Sequence, residues 1–508
     1  MMDSSRMKNS IRNIFWVYFS TAVSLVLSFI SRTIFIRYLG VEFLGINGLF
    51  ANVLTVLSLA DLGFGTAMAY SYYKPIADND TEKIIALNCF YKKIYCYIAT
   101  SIFVVGMALI PFLKYIINTG TEIEHIGLYY FLTLLGTVSS YLMVYKSTLL
   151  NAYQMNYLIS KYNMLVNTFM SILQMAAIVI TRNYVVYLII VTLGNLLKNI
   201  RVSMIADKKF PYIKEKRQLP VEERKSIFNN IKSVFIYKIS GIIINGTDNI
   251  LISTIVGTIW VGYYSNYLMI VNTIINLINM AFTSLTASVG NLIVTENSEK
   301  RLDIFNSMQT ISFWFSTVVV SCVYLLINIF INAWLGEQYV LDKQTVIAIV
   351  INLYLVCVLQ PVWVYREAAG IYMKTKYVML ITAILNLVLS IWWGYLWGLS
   401  GILFASAASK IVTYIWYEPI LLFNKYMDGK VQKYFLTIIY NAIAVILIVL
   451  VLSKVLNLIL LEGFIGFFVK GVVCFAITNI LYAIYFIKSK SSNVIKSKIK
   501  NFNFKRSK

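Results

Sequence analysis

Apolar runs of about 20 residues or more follow one another from Ile14 to Ile487, and no polar interval between them exceeds about 35 residues. No other feature limits the fold as strongly. The chain has 508 residues, 59% apolar and only 13% charged, against roughly 25% charged in soluble domains. In water such a chain would have to hide nearly every residue, and surface-to-volume scaling forbids that. Most of it must therefore lie in lipid. There, about 20 apolar residues span the bilayer as a helix, and backbone polar groups need partners within the chain. The dyad alternation of a membrane barrel is absent. The expected fold class is an all-α polytopic membrane protein, with no room for a separate soluble domain such as an attached nucleotidase.

Hydropathy places spans at about 14–38, 44–72, 90–113, 126–150, 161–181, 184–205, 233–256, 262–288, 308–333, 345–368, 376–395, 399–423, 433–455 and 464–487. That makes fourteen. The first run lacks a small-residue cleavage site and carries Arg32 and Arg37, so it reads as an uncleaved span rather than a signal peptide. An even count puts both ends on one side. On that side fall 35 of the 44 Lys and Arg residues, while the other side holds only Arg37, Lys114, Arg182, Lys343 and Lys454. The positive-inside rule then makes both ends cytoplasmic. The net charge of +22 follows from this asymmetry, with ten basic residues from Lys198 to Lys232 and eight from Lys488 to Lys508. Such clusters suit anionic lipid surfaces. No nucleic-acid-binding module surrounds them, and nucleic acid is not an expected partner.

A weak repeat organises the chain. Gly40 and Gly45 follow the first span, and Gly257 and Gly262 follow the seventh, at one offset of 217 residues. Six spans separate the copies, so both run in the same direction. The expected architecture is two parallel six-helix lobes related by an axis along the membrane normal. The N-terminal lobe would be 1–206 and the basic cytoplasmic linker 207–232. The C-terminal lobe would be 233–430, followed by accessory spans at 431–487 and a basic cytoplasmic tail at 488–508.

Charges inside the spans are the candidate functional residues, because each is costly in hydrocarbon. By helix rise Arg32 lies roughly 12 Å, and Asp248 roughly 13 Å, below the outer ends of the first and seventh spans. Matched depth on repeat-related spans suggests a pair that gates the outer mouth, or an anion site. Lys410 falls near the middle of the twelfth span and is expected to be a cavity cation, with Lys238 a weaker candidate one turn into the seventh. Asp61, in Leu59-Ala-Asp-Leu-Gly-Phe-Gly65, is a candidate for gating or ion coupling, since its flanking glycines can loosen the helix. Tyr263, Tyr264 and Tyr267 are candidate apolar faces for sugar rings. Lys470 is near enough to a span end to snorkel, and Arg366, Glu367 and Glu418 are expected to form interfacial pairs.

Other chemistries lack their residues. No G-x-x-x-x-G-K-[ST] loop occurs, so transport energy must come from a proton or sodium gradient, the membrane potential or the substrate's own gradient. The five cysteines form no CxxC pair and read as packing residues. His125 is the only histidine, which disfavours a histidine relay or a His-rich metal site. No metal and no cofactor is expected. The outer loops are too short to build a catalytic carboxylate pocket, so the chain is not expected to be an enzyme.

The segment Arg32-Thr-Ile-Phe-Ile-Arg-Tyr-Leu-Gly-Val-Glu-Phe-Leu-Gly-Ile-Asn47, the Asp61 segment, and Asp248 with Gly257 and Tyr263 resemble Wzx-type lipid-linked oligosaccharide flippases. These belong to the multidrug/oligosaccharidyl-lipid/polysaccharide exporter superfamily. The resemblance implies a V-shaped, two-lobed transporter in the cytoplasmic membrane. Its cargo would be undecaprenyl-diphosphate-linked oligosaccharide, moved from inner to outer leaflet for capsule, O-antigen (the lipopolysaccharide side chain) or a related polysaccharide. The implied cationic cavity suits Arg32 and Lys410. Membrane lipid and a polysaccharide polymerase or export complex are the other candidate partners. A cation-coupled multidrug exporter of the same fold is the alternative, and a polysaccharide polymerase or ligase a more distant one.

The orientation is directly testable. In a cysteine-free background, Tyr339→Cys should react with an impermeant thiol reagent from outside, and Glu215→Cys only after the membrane is opened. Reversed labelling contradicts cytoplasmic ends.

Overall fold

A computed structural model describes residues 2–61, 64–119 and 123–487, and all regular structure among them is helical. The chain divides into two compact units, Met1–Gly262 and Tyr263–Lys508. The first holds α1 (Met2–Leu39), α2 (Val41–Leu57), α3 (Phe64–Ala77), α4 (Thr81–Leu109), α5 (Leu113–Ile116), α6 (Ile126–Tyr141), α7 (Val144–Ala152), α8 (Asn156–Thr181), α9 (Tyr184–Lys209), α10 (Val221–Gly246) and α11 (Asp248–Leu251). Then come α12 (Thr258–Thr283), which starts in the first unit, α13 (Thr286–Thr295), α14 (Ser298–Leu335), α15 (Lys343–Ala368), α16 (Tyr372–Val412), α17 (Tyr414–Tyr426), α18 (Val431–Asn457) and α19 (Gly463–Ile487).

Among the described residues eleven helices are long and apolar enough to cross a membrane, or twelve if the bent pair α6 and α7 counts as one span. The expected fourteen is not reproduced, for identifiable reasons. The second run is interrupted, since α2 stops at Leu57 and a 3₁₀ segment, Ser58–Asp61, follows. The fourth run bends by 42° between α6 and α7. The runs at 376–395 and 399–423 share one stretch, Lys374–Tyr426. That stretch is not straight. Gly398 has φ 59° and ψ −134°, a region that needs glycine. Asn386 Nδ2 then reaches Ser406 Oγ at 3.0 Å, and the Thr382 and Thr413 hydroxyls meet at 2.6 Å. In a straight helix the second pair would be roughly 46 Å apart. The chain therefore turns back on itself at Gly398 as a helical hairpin.

Each unit buries one face of its helices and leaves the other apolar. In the first, Ile46, Leu49 and Phe50 of α2 are fully buried, and Phe50 meets the ring of Tyr130 edge-on at 5.2 Å. Phe169 is 65% and Ile180 80% exposed on α8, as a lipid-facing surface requires. Polar side chains turn inward or bond to their own helix, as Thr133 Oγ1 does to the Tyr129 carbonyl oxygen at 2.8 Å. The basic segment read from sequence as the lobe linker packs within the first unit, on α4. Asn88 Nδ2 donates to the Ile213 carbonyl oxygen, and Lys83 pairs with Glu223 at 3.0 Å.

In the second unit, Pro361 interrupts α15 and deprives the Cys357 carbonyl of its usual N–H donor. Ser312 Oγ of α14 supplies the missing bond at 2.7 Å, and Gln309 Nε2 donates to the Val358 carbonyl oxygen at 3.2 Å. The thiols of Cys322 and Cys474 lie 3.5 Å apart between α14 and α19, both reduced. Arg366 and Glu418 join α15 to α17 through Nη1–Oε1 at 2.9 Å and Nη1–Oε2 at 3.2 Å, with Glu418 1% exposed. Glu367 adds a third contact to Arg366 at 3.3 Å.

This buried pair makes a stability prediction. Glu418→Ala leaves Arg366 buried beside only the partly exposed Glu367, and should destabilise the protein by about 3–5 kcal/mol in thermal unfolding. Replacing both, as Arg366→Met with Glu418→Leu, should recover most of that loss. Equal losses in the single and double variants would contradict a pairing penalty.

Candidate functional site

The two copies of the repeat meet. Gly40 and Gly257 end the first and seventh runs with φ of 92° and 131°, which allows each chain to turn sharply into the next helix. Five residues after each lies a second glycine, and these sit against each other's turn within the first unit. A methyl group added at Gly45 would strike the Thr258 carbonyl oxygen, and one added at Gly262 would strike that of Val41. From each added position the other glycine's backbone nitrogen is 3.2 Å away. Val41 and Thr258 are themselves related by the offset of 217, so the contact is reciprocal. Asn52 extends it along α2 by donating to the Gly246 carbonyl oxygen at 3.2 Å. Thr258 is tied outward, its N–H to the Asn118 carbonyl oxygen at 2.8 Å and its hydroxyl to Ser253 at 2.7 Å.

The candidate charges occupy places where the helix itself is altered or a polar neighbour is supplied. Arg32 is half-buried in α1, beside the Tyr187 phenol of α9, which also adjoins Asn47 of α2. Asp248 is half-buried and opens α11 just after α10 ends. Arg32 and Asp248 both fall in the first unit. Asp61 closes the 3₁₀ break after α2 and adjoins Tyr95 and Tyr141. Gly65 lies next to the Tyr95 hydroxyl, 3.7 Å from where its own Cβ would be. The side chain of Lys238 lies outside the described residues.

Lys410 occupies the last turn of α16, before Thr413 breaks the helix at φ −115° and ψ −97°. Carbonyl groups at a helix C-terminus favour a cation. Its ammonium donates to Asn352 Oδ1 of α15 at 3.1 Å, while Asn352 Nδ2 donates to the Leu403 and Ala348 carbonyl oxygens. Lys410 is thus held on an oriented amide. The tyrosines are placed differently from one another. Tyr263 is half-buried, edge-on to Tyr339 at 5.6 Å. Tyr264 is 7% exposed and Tyr267 0%. The Tyr267 hydroxyl donates to Asn328 Oδ1 at 2.7 Å and accepts from the Leu341 N–H at 2.8 Å. It anchors a loop to α14 and offers no free ring face. Lys470 is half-buried on α19.

Two cations escaped notice in the sequence because they were counted with the basic cytoplasmic clusters. Lys146 of α7 bonds Asp207 at 2.7 Å and Ser203 at 2.8 Å. Lys198 is half-buried on α9, roughly 16 Å along the helix from Tyr187, with no carboxylate bridged to it among the described residues. Counting positions from Tyr184, the start of α9, would have shown Lys198 well inside a span. No cluster of three metal-ligating side chains occurs among the described residues.

A family model described as "polysaccharide biosynthesis protein" matches residues 10–287, more than half of the chain. No curated protein sequence matches. Among solved structures, the chain is similar to one titled lipid II flippase MurJ, inward closed conformation. The TM-score is 0.68 and the identity 14%, over 94% of this chain and all of that one. It is also similar to an inward-facing multidrug resistance MATE family transporter of the MOP superfamily, with a TM-score of 0.59 and 18% identity over 77% of this chain and 93% of that one. A MATE transporter from Vibrio cholerae gives a TM-score of 0.54 at 13% identity, over 80% and 95%. The fold is therefore of the MurJ and MATE type.

The reciprocal glycine contact can be tested directly. Gly45→Ala and Gly262→Ala should each destabilise the protein by about 1–3 kcal/mol, because backbone must move to admit the methyl group. The double variant should cost less than the two losses combined, since both act on one contact. Gly290→Ala, where the nearest atom is 4.0 Å away, is the neutral control. Wild-type melting of both single variants contradicts the contact.

Proposed function

The chain belongs to the polysaccharide biosynthesis protein family, and we propose that it is a flippase for undecaprenyl-diphosphate-linked oligosaccharide repeat units. It moves them from the inner to the outer leaflet of the cytoplasmic membrane by alternating access, supplying capsule, O-antigen or a related surface polysaccharide. It performs no bond chemistry and needs no cofactor. A proton or sodium gradient drives it, with Asp61 and Asp248 as coupling or gating residues.

The observation that carries this reading is the set of cations held within apolar helices, Arg32 on α1, Lys198 on α9 and Lys410 on α16. Arg32 adjoins a phenol, and Lys410 rests on an amide. A diphosphate cannot cross hydrocarbon with its charges bare. Cations inside the spans can replace part of the hydration that the diphosphate loses there. Arg32, Lys198 and Lys410 fit that role, and the polyprenyl tail stays in lipid. An exporter of cationic drugs is the second reading, favoured by the MATE-type fold and by Asp61 beside two phenols. It requires acids, rather than cations, to contact the cargo.

Export in cells distinguishes the two. Arg32→Ala and Lys410→Ala should each lower surface polysaccharide about tenfold or more at normal protein abundance, the loss of one charge contact to the cargo. The lipid-linked intermediate should accumulate. Lys454→Ala, exposed in the last turn of α18, should export normally. Normal export by both cavity variants contradicts the flippase reading.

A further inference from the structure

A second polar site, lined by none of these residues, lies within the second unit. A cavity of about 280 Å³ opens between the beginning of α14, the end of α17 and the beginning of α18. Asn306, Gln309 and Thr310 line one wall, and Lys430, Lys433 and Tyr434 the other. Both lysines are exposed, so they carry positive charge at the mouth. Deeper in, two buried polar atoms have no hydrogen-bond partner. Tyr434 is 5% exposed and its Oη is unbonded. Gln309 is 4% exposed, and its Nε2 is spent on the Val358 carbonyl oxygen while its Oε1 is unbonded. Buried polar groups are almost always satisfied, so each such atom calls for a partner.

The three demands define a ligand. The lysines and the Tyr434 hydroxyl are donors and call for an anionic oxygen cluster. Gln309 Oε1 is an acceptor and calls for a hydroxyl or amine hydrogen that a bare phosphate diester lacks. A phosphodiester bearing a glycerol head supplies both. The surface beside the cavity indicates where its chains go. Leu436, Ile439, Ile443, Leu447 and Leu450 of α18 are each about half exposed, forming an apolar face that starts at the level of Lys433 and runs away from it. Acyl chains on that face would leave the head at the lysines, where basic residues flanking a span attract anionic lipid.

We propose that this cavity binds the phosphoglycerol head of an anionic phospholipid, with phosphate on Lys430, Lys433 and Tyr434 and a glycerol hydroxyl on Gln309. The site includes none of Arg32, Lys198 and Lys410, and it does not depend on which cargo the protein moves.

Binding to the purified full-length protein tests it. Short-chain phosphatidylglycerol should bind saturably, and phosphatidylcholine of the same chain length at least about tenfold more weakly. Lys430→Gln should weaken phosphatidylglycerol about fivefold, and the double variant with Lys433→Gln about twenty-five-fold. Tyr434→Phe, which keeps the packing, should weaken it several-fold, whereas Lys425→Gln on the exposed end of α17 should change it less than about twofold. Glycerol phosphate and inorganic phosphate, which lack acyl chains, should not compete at comparable concentration. Equal binding of phosphatidylcholine, unchanged binding by the double lysine variant, or equal binding of the soluble phosphates would overturn the lipid site. Phosphatidic acid binding as tightly as phosphatidylglycerol would overturn the role given to Gln309.

Discussion

Hydrocarbon offers no hydrogen-bond partner, so every polar group carried into the bilayer must find one in the chain. That constraint organises the structure. Backbone groups meet it by forming helices, and where a helix is interrupted the orphaned groups draw specific side chains to them. The carbonyl freed by Pro361 is taken by Ser312. The broken end of α16 carries Lys410, and the start of α11 carries Asp248. At Lys410 charge and break have matching polarity, since a helix C-terminus stabilises a cation. Interruptions in the helices therefore turn a costly charge into a tolerable one.

The same medium removes the usual drive for helices to associate, because lipid is as apolar as leucine. Close packing of small residues takes its place. The reciprocal fit of Gly45 against Thr258 and Gly262 against Val41 is of this kind. It joins two copies of one sequence element, each arriving through a glycine of positive φ. The contact is backbone against backbone, with the Val41 side chain beside Gly262.

What could be read in the sequence depended on whether the deciding partner was near in the chain. The helical class, the membrane location and the repeat followed from composition and from two glycine pairs at a single offset. The turn between the eleventh and twelfth runs was legible because Gly398 sits between them. The break at Thr413 was not, as no glycine or proline marks it, and so the reason Lys410 is tolerated stayed hidden. Likewise the glycines announced a repeat but not that its copies touch. Tyr267 read as a cleft aromatic from its neighbours, yet a loop some 70 residues on captures its hydroxyl. Arg366 and Glu418 were recognised as a pair near one membrane face, whereas their near-complete burial depends on how α15 meets α17.

The central claim is that cations held within the spans carry a diphosphate across the bilayer. Its most direct test is leaflet translocation by the purified protein in liposomes. Fluorescent undecaprenyl-diphosphate oligosaccharide would be placed in one leaflet, and its arrival in the other read by an impermeant quencher. The account predicts that liposomes containing the protein equilibrate the label much faster than empty ones, and that Arg32→Ala and Lys410→Ala proteins do not. Equal rates with and without the protein, together with gradient-driven uptake of a cationic dye by the same liposomes, would contradict it.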